Sequence, residues 1–311
     1  MQPIVEANNV SRYFSGQMAV QKLSLKIERG EVMALLGTNG AGKTTTLRLL
    51  TGELAPNAGR ITINQIDLNS RPRQAKQFIG YLPDTPPLYN DLTVDEYLTY
   101  CARLRKVPRY EIASQVKAVK SFCELQYVSQ RLIKKLSKGY QQRIGIAQAI
   151  IHKPLAVILD EPTNGLDPTQ VSEMRDLITD MRKDTGILLS THQLGEVEQI
   201  CDRVHLLKQG KTIFNKQISE LQQTYTICLR FIKDAPINQI EAHPEVEQVT
   251  VTDNKVLQIE IKDSPSQDYL DTLKNRFLAQ SEANNWGIVE IYDMQNTLEN
   301  IFVNEVLRDK Q

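Results

Sequence analysis

Short runs of consecutive apolar residues punctuate the first two thirds of the chain: "EVMALLG" (Glu31 to Gly37), "LAVILD" (Leu155 to Asp160), "GILLST" (Gly186 to Thr191) and "RVHLLK" (Arg203 to Lys208). Unbroken runs of this length suit strands buried on both faces, and helical patterns lie between them. Together they predict an α/β core, a parallel sheet flanked by helices. Two other stretches, "AVQKLSLKIERG" and "GRITINQIDL", alternate apolar and polar residues, as an antiparallel sheet with one wet face does. Between Asp91 and Val128, "LTVDEYLTYCARL" and "EIASQVKAVKSFCEL" carry apolar residues at steps of three and four. That spacing predicts a helical subdomain inserted into the core, spanning about 85–150.

Beyond "KQG" (Lys208 to Gly210) and a short strand "KTIFN", the pattern changes character. Strand "TYTICLRFI", a helix near Ile237 to Ala242, strands "VEQVTVT" and "KVLQIEI", helix "SQDYLDTLKNRFLAQSEA", strand "GIVEIYD" and a last helix "TLENIFVNEVL" follow in turn. The order βαββαβ plus a helix is that of a small ferredoxin-like α+β module. We therefore place a boundary between 1–222 and 223–311. The second part holds no catalytic cluster and reads as an accessory or regulatory domain.

Composition narrows the classes. With 311 residues, 41% apolar and 24% charged, the chain is globular and long enough for two domains. Lys plus Arg and Asp plus Glu number 37 each, so net charge gives no reason to expect nucleic acid or an anionic membrane, and any basic footprint is local. Cys101, Cys123, Cys201 and Cys228 lack the spacing of a zinc or redox motif and read as reduced thiols. "MQPIVEANNVSRYF" is not a signal peptide, and no run approaches the ~18–20 apolar residues of a membrane span, so spanning helices are expected on another chain.

Chemistry enters with "GTNGAGKT" (Gly37 to Thr44), which matches G-x-x-x-x-G-K-[ST] between a strand and a helix. Its glycines, Gly37, Gly40 and Gly42, let backbone N–H groups turn onto phosphate oxygens, and the helix that follows adds its dipole. Thr38, Asn39, Ala41 and Thr45 complete the set of expected nucleotide contacts. Lys43 is expected on the β- and γ-phosphates and Thr44 on Mg2+. Asp160 and Glu161 end a buried strand at the sheet edge where such folds bind ligands. Asp160 suits Mg2+, usually through water, and Glu161 suits a general base for the attacking water. His192 closes another strand at that edge, in reach of a γ-phosphate; His152, His205 and His243 read as structural. "LSKGYQQR" (Leu136 to Arg143) opens a helix with Ser137 and Gly139, which fits either an ordinary cap or a second anion site.

Taken together, over roughly Ile4 to Leu221, these motifs resemble the nucleotide-binding subunit of an ABC transporter. "GTNGAGKT" is similar to its Walker A, "LAVILDEP" to Walker B, "NGLD" (Asn164 to Asp167) to the D-loop, "STH" to the switch histidine, and "LSKGYQQR" to the signature usually written LSGGQ. The resemblance implies a P-loop ABC ATPase fold with an antiparallel β subdomain and helical insert, and ATP and Mg2+ as cofactors. It implies adenine stacking on Tyr13 and a head-to-tail sandwich of two copies around two ATPs. Ser137 and Gly139 would then donate to a γ-phosphate bound on the partner copy, and Asp167 of the D-loop is a further expected nucleotide contact. Lys138 and Tyr140 depart from the common signature. Asp84, in "IGYLPD", stands where the family usually carries a glutamine ligand to Mg2+, a role a carboxylate also fills.

"IGYLPDTPPLYNDLTVDEYL" and "TLENIFVNEV" resemble the type-2 exporters, including gliding-motility and multidrug-type ATPases. That implies integral membrane permease subunits as partners, reached through residues such as Tyr89 and Asp91, and a place on the cytoplasmic face of the plasma membrane. No nucleic-acid partner is expected. The alternative is a soluble ABC-type ATPase acting on nucleic acid or ribosomes, which usually needs a coiled coil or two cassettes in one chain. A nucleotide-binding regulator with little turnover is a third reading, against which Glu161 and His192 argue.

Overall fold

The computed structural model describes residues 2–223, 225–253, 255–261 and 267–295, with Leu298 and Phe302. The expected last helix over "TLENIFVNEVL" falls outside this set, save those two residues. The chain divides into two compact units, Met1–Lys216 and Gln217–Gln311.

The first unit runs β1 (Val5–Phe14), β2 (Gln17–Ile27), β3 (Val32–Leu36), α1 (Lys43–Leu50), β4 (Ala58–Ile63), β5 (Ile66–Asp67), α2 (Pro72–Ala75), β6 (Ile79–Leu82), α3 (Val94–Leu104) and α4 (Ile112–Phe122). It continues with α5 (Lys138–Ile150), β7 (Ala156–Asp160), α6 (Pro168–Met181), β8 (Gly186–Thr191), α7 (Leu194–Ile200), β9 (Arg203–Lys208) and β10 (Lys211–Gln217). One sheet has the order β10-β9-β3-β8-β7-β6. Its β9, β3, β8, β7 and β6 are parallel. Every residue of β3, β7 and β8 is buried, which is why these segments read as unbroken apolar runs. The second sheet, β2-β1-β4-β5, is antiparallel. Its inward residues, among them Leu23, Leu25, Ile27 and Ile61, share one core with Met33 and Leu35 of β3 and Leu47 of α1.

The helical insert is anchored by a capping box at the start of α3. Thr93 N donates to Glu96 Oε2 at 2.8 Å and Glu96 N donates to Thr93 Oγ1 at 3.2 Å. Ile79–Leu82 of "IGYLPD", not among the strands expected from the apolar runs, is the edge strand beside β7. Gly80 explains the close fit there, because a Cβ on it would run into the Ala149 carbonyl of α5. With β6 in place, the C-terminal ends of β3, β6, β7 and β8 open at one sheet edge, and the loops after them carry Gly37, Asp84, Glu161 and His192.

The second unit runs α8 (Ile218–Gln223), β11 (Tyr225–Phe231), α9 (Ile237–Glu241), β12 (Val246–Asp253), β13 (Val256–Ile261), α10 (Gln267–Asn284) and β14 (Ile288–Gln295). The sheet order β12-β13-β11-β14, antiparallel throughout, is the ferredoxin-like arrangement. Alternate residues of β11 and β13 (Ile227, Leu229 and Phe231; Leu257, Ile259 and Ile261) form its core with Leu270, Leu273 and Phe277 of α10.

Candidate functional site

Backbone geometry shapes the loop after β3. Gly42, the N-cap of α1, holds φ 104°, and a Cβ there would lie 2.6 Å from the Ala19 carbonyl of β2. Only glycine fits both the torsion and that approach. Behind it the loop is braced from within: Ala41 N donates to Thr38 O at 3.1 Å, and Gly210 N donates to Ala41 O at 2.8 Å. The helix thus begins with its free N–H groups at the mouth of a cavity of about 430 Å3, lined by Thr38, Asn39, Gly40, Gly42, Lys43, Thr44 and Thr45 from this loop. Gly37 and Ala41 do not line it. Gly37 packs against the Leu207 carbonyl, 2.6 Å from where its Cβ would be, so these two residues support the loop rather than face the cavity.

Asp84, Asp160, Glu161 and His192 line the same cavity from three other strand ends. Lys43 Nζ donates to the Gly37 carbonyl at 2.7 Å and lies 3.8 Å from Glu161 Oε1. Burial pushes its pKa down, opposed by the charges of Glu161 and Asp160. Asp160, 4% exposed, accepts a 2.8 Å hydrogen bond from Ser190 Oγ of β8. Burial raises its pKa, the Ser190 bond opposes the rise, and the charges of Asp84 and Glu161 add to it. Strand β7 ends at Asp160, because Glu161 turns to φ 48°, a left-handed torsion that costs a non-glycine residue about 1 kcal/mol. The turn aims its carboxylate at His192, whose Nδ1 lies 3.0 and 2.9 Å from the two oxygens.

Three carboxylates against one lysine leave the cavity with surplus negative charge. Thr44, Asp84 and Asp160 offer the hard oxygen donors that Mg2+ takes, so the residues fit that ion. Asp84 is steadied by Asn164, whose Nδ2 donates to Asp84 Oδ1 at 3.3 Å.

The signature segment lies elsewhere. Ser137 and Gly139 line a separate hollow of about 710 Å3, together with Asp167. Ser137 is the N-cap of α5, yet its side chain makes no capping hydrogen bond. Asp167 caps α6 instead, accepting from Gln170 N at 2.9 Å. A Cβ on Gly139 would lie 2.8 Å from Gln170 Oε1, so the absent side chain keeps the two helix starts close. Lys138 sits over the turn at Gly165 (φ 70°), where a Cβ would collide with its Nζ. Tyr13 stands 43% exposed on β1, outside the first cavity, paired with Met18, the neighbour of the cavity residue Ala19.

The loop and the catalytic candidates therefore converge on one cavity, while Ser137, Gly139, Asp167 and Tyr13 do not join it. Ser190, Asn164 and Ala19 went unmarked at the sequence level. Ser190 lay inside the quoted "STH" run and Asn164 inside "NGLD", neither with a role of its own; nothing local distinguishes Ala19.

Comparison with known proteins bears on this arrangement. A family profile described as ABC transporter matches residues 20–164. An uncharacterised ABC transporter ATP-binding protein, YxlF of Bacillus subtilis, is 36% identical over 233 residues, covering 74% of this chain and 77% of its own. The bacitracin transport ATP-binding protein BcrA of Bacillus licheniformis is 31% identical, over 83% of this chain and 85% of its own. Among solved structures, CbiO1 of Clostridium perfringens, part of the ABC transporter complex cbiONQ, superposes with a TM-score of 0.66 at 30% identity, covering 71% of this chain and 91% of that one.

Proposed function

The chain belongs to the family of ABC transporter ATP-binding subunits, and from that premise we propose that it is the motor of an exporter, in which two copies close head to tail around two Mg-ATP and drive separate membrane permease subunits. It is an ATPase, with ATP and Mg2+ as its cofactors. The observation that carries the mechanistic reading is the pairing of Glu161 with His192 at 2.9 Å, at a strained turn beside Lys43 and buried Asp160.

In this reading Lys43 exchanges its Gly37 carbonyl for the β- and γ-phosphates, and the N–H groups at the start of α1 hold the same oxygens. Mg2+, when bound, offsets the charge of those phosphates; Thr44, Asp160 and Asp84 are the residues that would hold it. Glu161 takes the proton of the attacking water, a role worth about 10^2 to 10^4 in rate. His192 orients that carboxylate and senses the γ-phosphate. Tyr13 stacks on adenine from its exposed position on β1.

Ser137 and Gly139 donate to a γ-phosphate held by the partner copy, with Asp167 and its loop at the same interface. The uncommitted Ser137 hydroxyl, in a hollow that shares no lining residue with the phosphate-loop cavity, supports that assignment. No helix among the described residues is long and apolar enough to cross a membrane, and BcrA is named for bacitracin transport; both accord with a peripheral subunit on the cytoplasmic face that works through separate permeases. Tyr89, 51% exposed beside Tyr97 and Tyr100, and Asp91, paired to Lys134, are the proposed contacts with them.

Glu161→Gln tests the reading. The variant is expected to bind Mg-ATP, lose steady-state hydrolysis and accumulate as a dimer in size-exclusion chromatography. A variant that hydrolyses ATP at the wild-type rate, or stays monomeric at high concentration with Mg-ATP, refutes it.

A further inference from the structure

The balanced charge of the chain hides one local imbalance. The segment Arg103-Leu104-Arg105-Lys106-Val107-Pro108-Arg109 contains no acid, and neither does Arg71-Pro72-Arg73-Gln74-Ala75-Lys76. The fold brings the two together at the end of α3 and the α2 turn, around a pocket of about 360 Å3 lined by Arg73, Lys76, Arg105, Lys106 and His152, with Gln77 and Leu104. None of the lining residues is acidic.

Elsewhere on this unit buried or half-buried cations have partners. Arg143 bridges Glu124 and Glu173, Lys120 bridges Asp95 and Ser129, and Arg203 meets Glu31 at 2.7 Å. Arg105 is half-buried, yet among the described residues it forms no ion pair; burial lowers its pKa, opposed only by the Cys101 thiol and by no carboxylate. His152 feels the same field. Burial and the Arg105 charge together hold its pKa down at about 4, and its buried Nδ1 has no hydrogen-bond partner among the described residues. Lys76 is positioned by its bond to the Gly52 carbonyl at 3.0 Å. Several cations held around one hollow, one of them partly desolvated and unpaired, raise the free energy of the protein unless an anion enters.

We propose that this pocket is an anion site for a phosphate-bearing ligand, distinct from the nucleotide cavity. Arg105 is its principal donor, since a guanidinium fork matches phosphate oxygens, and Arg73 and Lys106 close its rim. Two sources supply that chemistry: a soluble phosphate compound, or the headgroup of an anionic phospholipid. Leu104, 61% exposed at the rim, would suit the second.

The test uses the full chain with its P-loop saturated by a non-hydrolysable Mg-ATP analogue, so that the γ-phosphate position is filled and phosphate binding there is blocked. Inorganic phosphate is titrated calorimetrically in one arm. In the other, the protein is sedimented with phosphatidylcholine vesicles with and without phosphatidic acid. Heat in the first arm identifies a soluble ligand; sedimentation that requires phosphatidic acid identifies a headgroup. In whichever arm binds, Arg105→Gln is expected to weaken binding about tenfold. The exposed pair Arg73→Gln/Lys106→Gln, which leaves the fold undisturbed, should do the same. The pair Lys117→Gln/Lys211→Gln removes equal charge from other surfaces and should bind as wild type. No binding in either arm, or equal losses in both pairs, overturns the proposal.

Discussion

Ser190 holds the buried carboxylate of the nucleotide cavity, and its removal has a cost that can be worked from the geometry. Ser190 is fully buried, Asp160 is 4% exposed, and the hydroxyl donates across 2.8 Å. A hydrogen bond to a charged acceptor contributes about 1.5–3 kcal/mol, and a neutral one about 1. Ser190→Ala should therefore destabilise the nucleotide-free chain by about 2 kcal/mol at pH 8, but by only ~1 kcal/mol in an Asp160→Asn background. The pH dependence has a definite sign. The Ser190 bond opposes the upward shift of Asp160, so its loss raises that pKa further above 3.8. An acid with a raised folded pKa contributes stability in its protonated range and loses it as pH rises through the folded value. The deficit of Ser190→Ala is consequently smaller at acid pH than at pH 8. Urea unfolding of the four chains of the cycle at pH 5 and pH 8 measures both effects, with a midpoint shift of roughly 0.5–1 M for the single variant at pH 8. Equal costs in the two backgrounds, or a cost independent of pH, would show that the bond does not support the ionised carboxylate.

Ser137→Arg should block ATP-driven dimerisation while leaving nucleotide binding by the monomer intact; chromatography and a fluorescent ATP analogue separate the two, and loss of monomer binding would refute a role across the interface. Asp84→Gln removes one of the charges that raise the Asp160 pKa, and should change the Mg2+ concentration at half-maximal hydrolysis; an unchanged value excludes Asp84 as a ligand. His205, wholly buried with Nε2 2.9 Å from Thr212 Oγ1, is held at a pKa of about 4 by burial. A depressed folded pKa means stability present above pH 6.5 and lost as pH falls toward 4, about 2 kcal/mol between pH 7 and pH 5. His205→Gln should flatten that part of the urea-midpoint profile, and a profile as steep as wild type would assign the acid sensitivity to other groups.

Local signals carried far because they describe local physics. Strands β3, β7, β8 and β9 were legible as apolar runs because central parallel strands are buried on both faces, and the P-loop because a helix start with left-handed glycines has few sequence solutions. The βαββαβ order of the second unit was legible for the same reason, from alternation and helical spacing alone. Strand β6 was not: four residues with an internal glycine carry too little periodicity, and only its pairing with β7 makes it a strand.

The sequence by itself determined which residue types stand at the ends of buried strands, and hence that phosphate chemistry was available. The tertiary structure decided which of them meet. Ser190 reaches Asp160 across 30 residues and Asn164 reaches Asp84 across 80, and no local pattern encodes either contact. The same holds for Lys138, whose charge had no evident target until the fold set it over Gly165. The balance of 37 cations and 37 anions likewise concealed the basic pocket, because charge sums are blind to position whereas electrostatic energy depends on distance and burial.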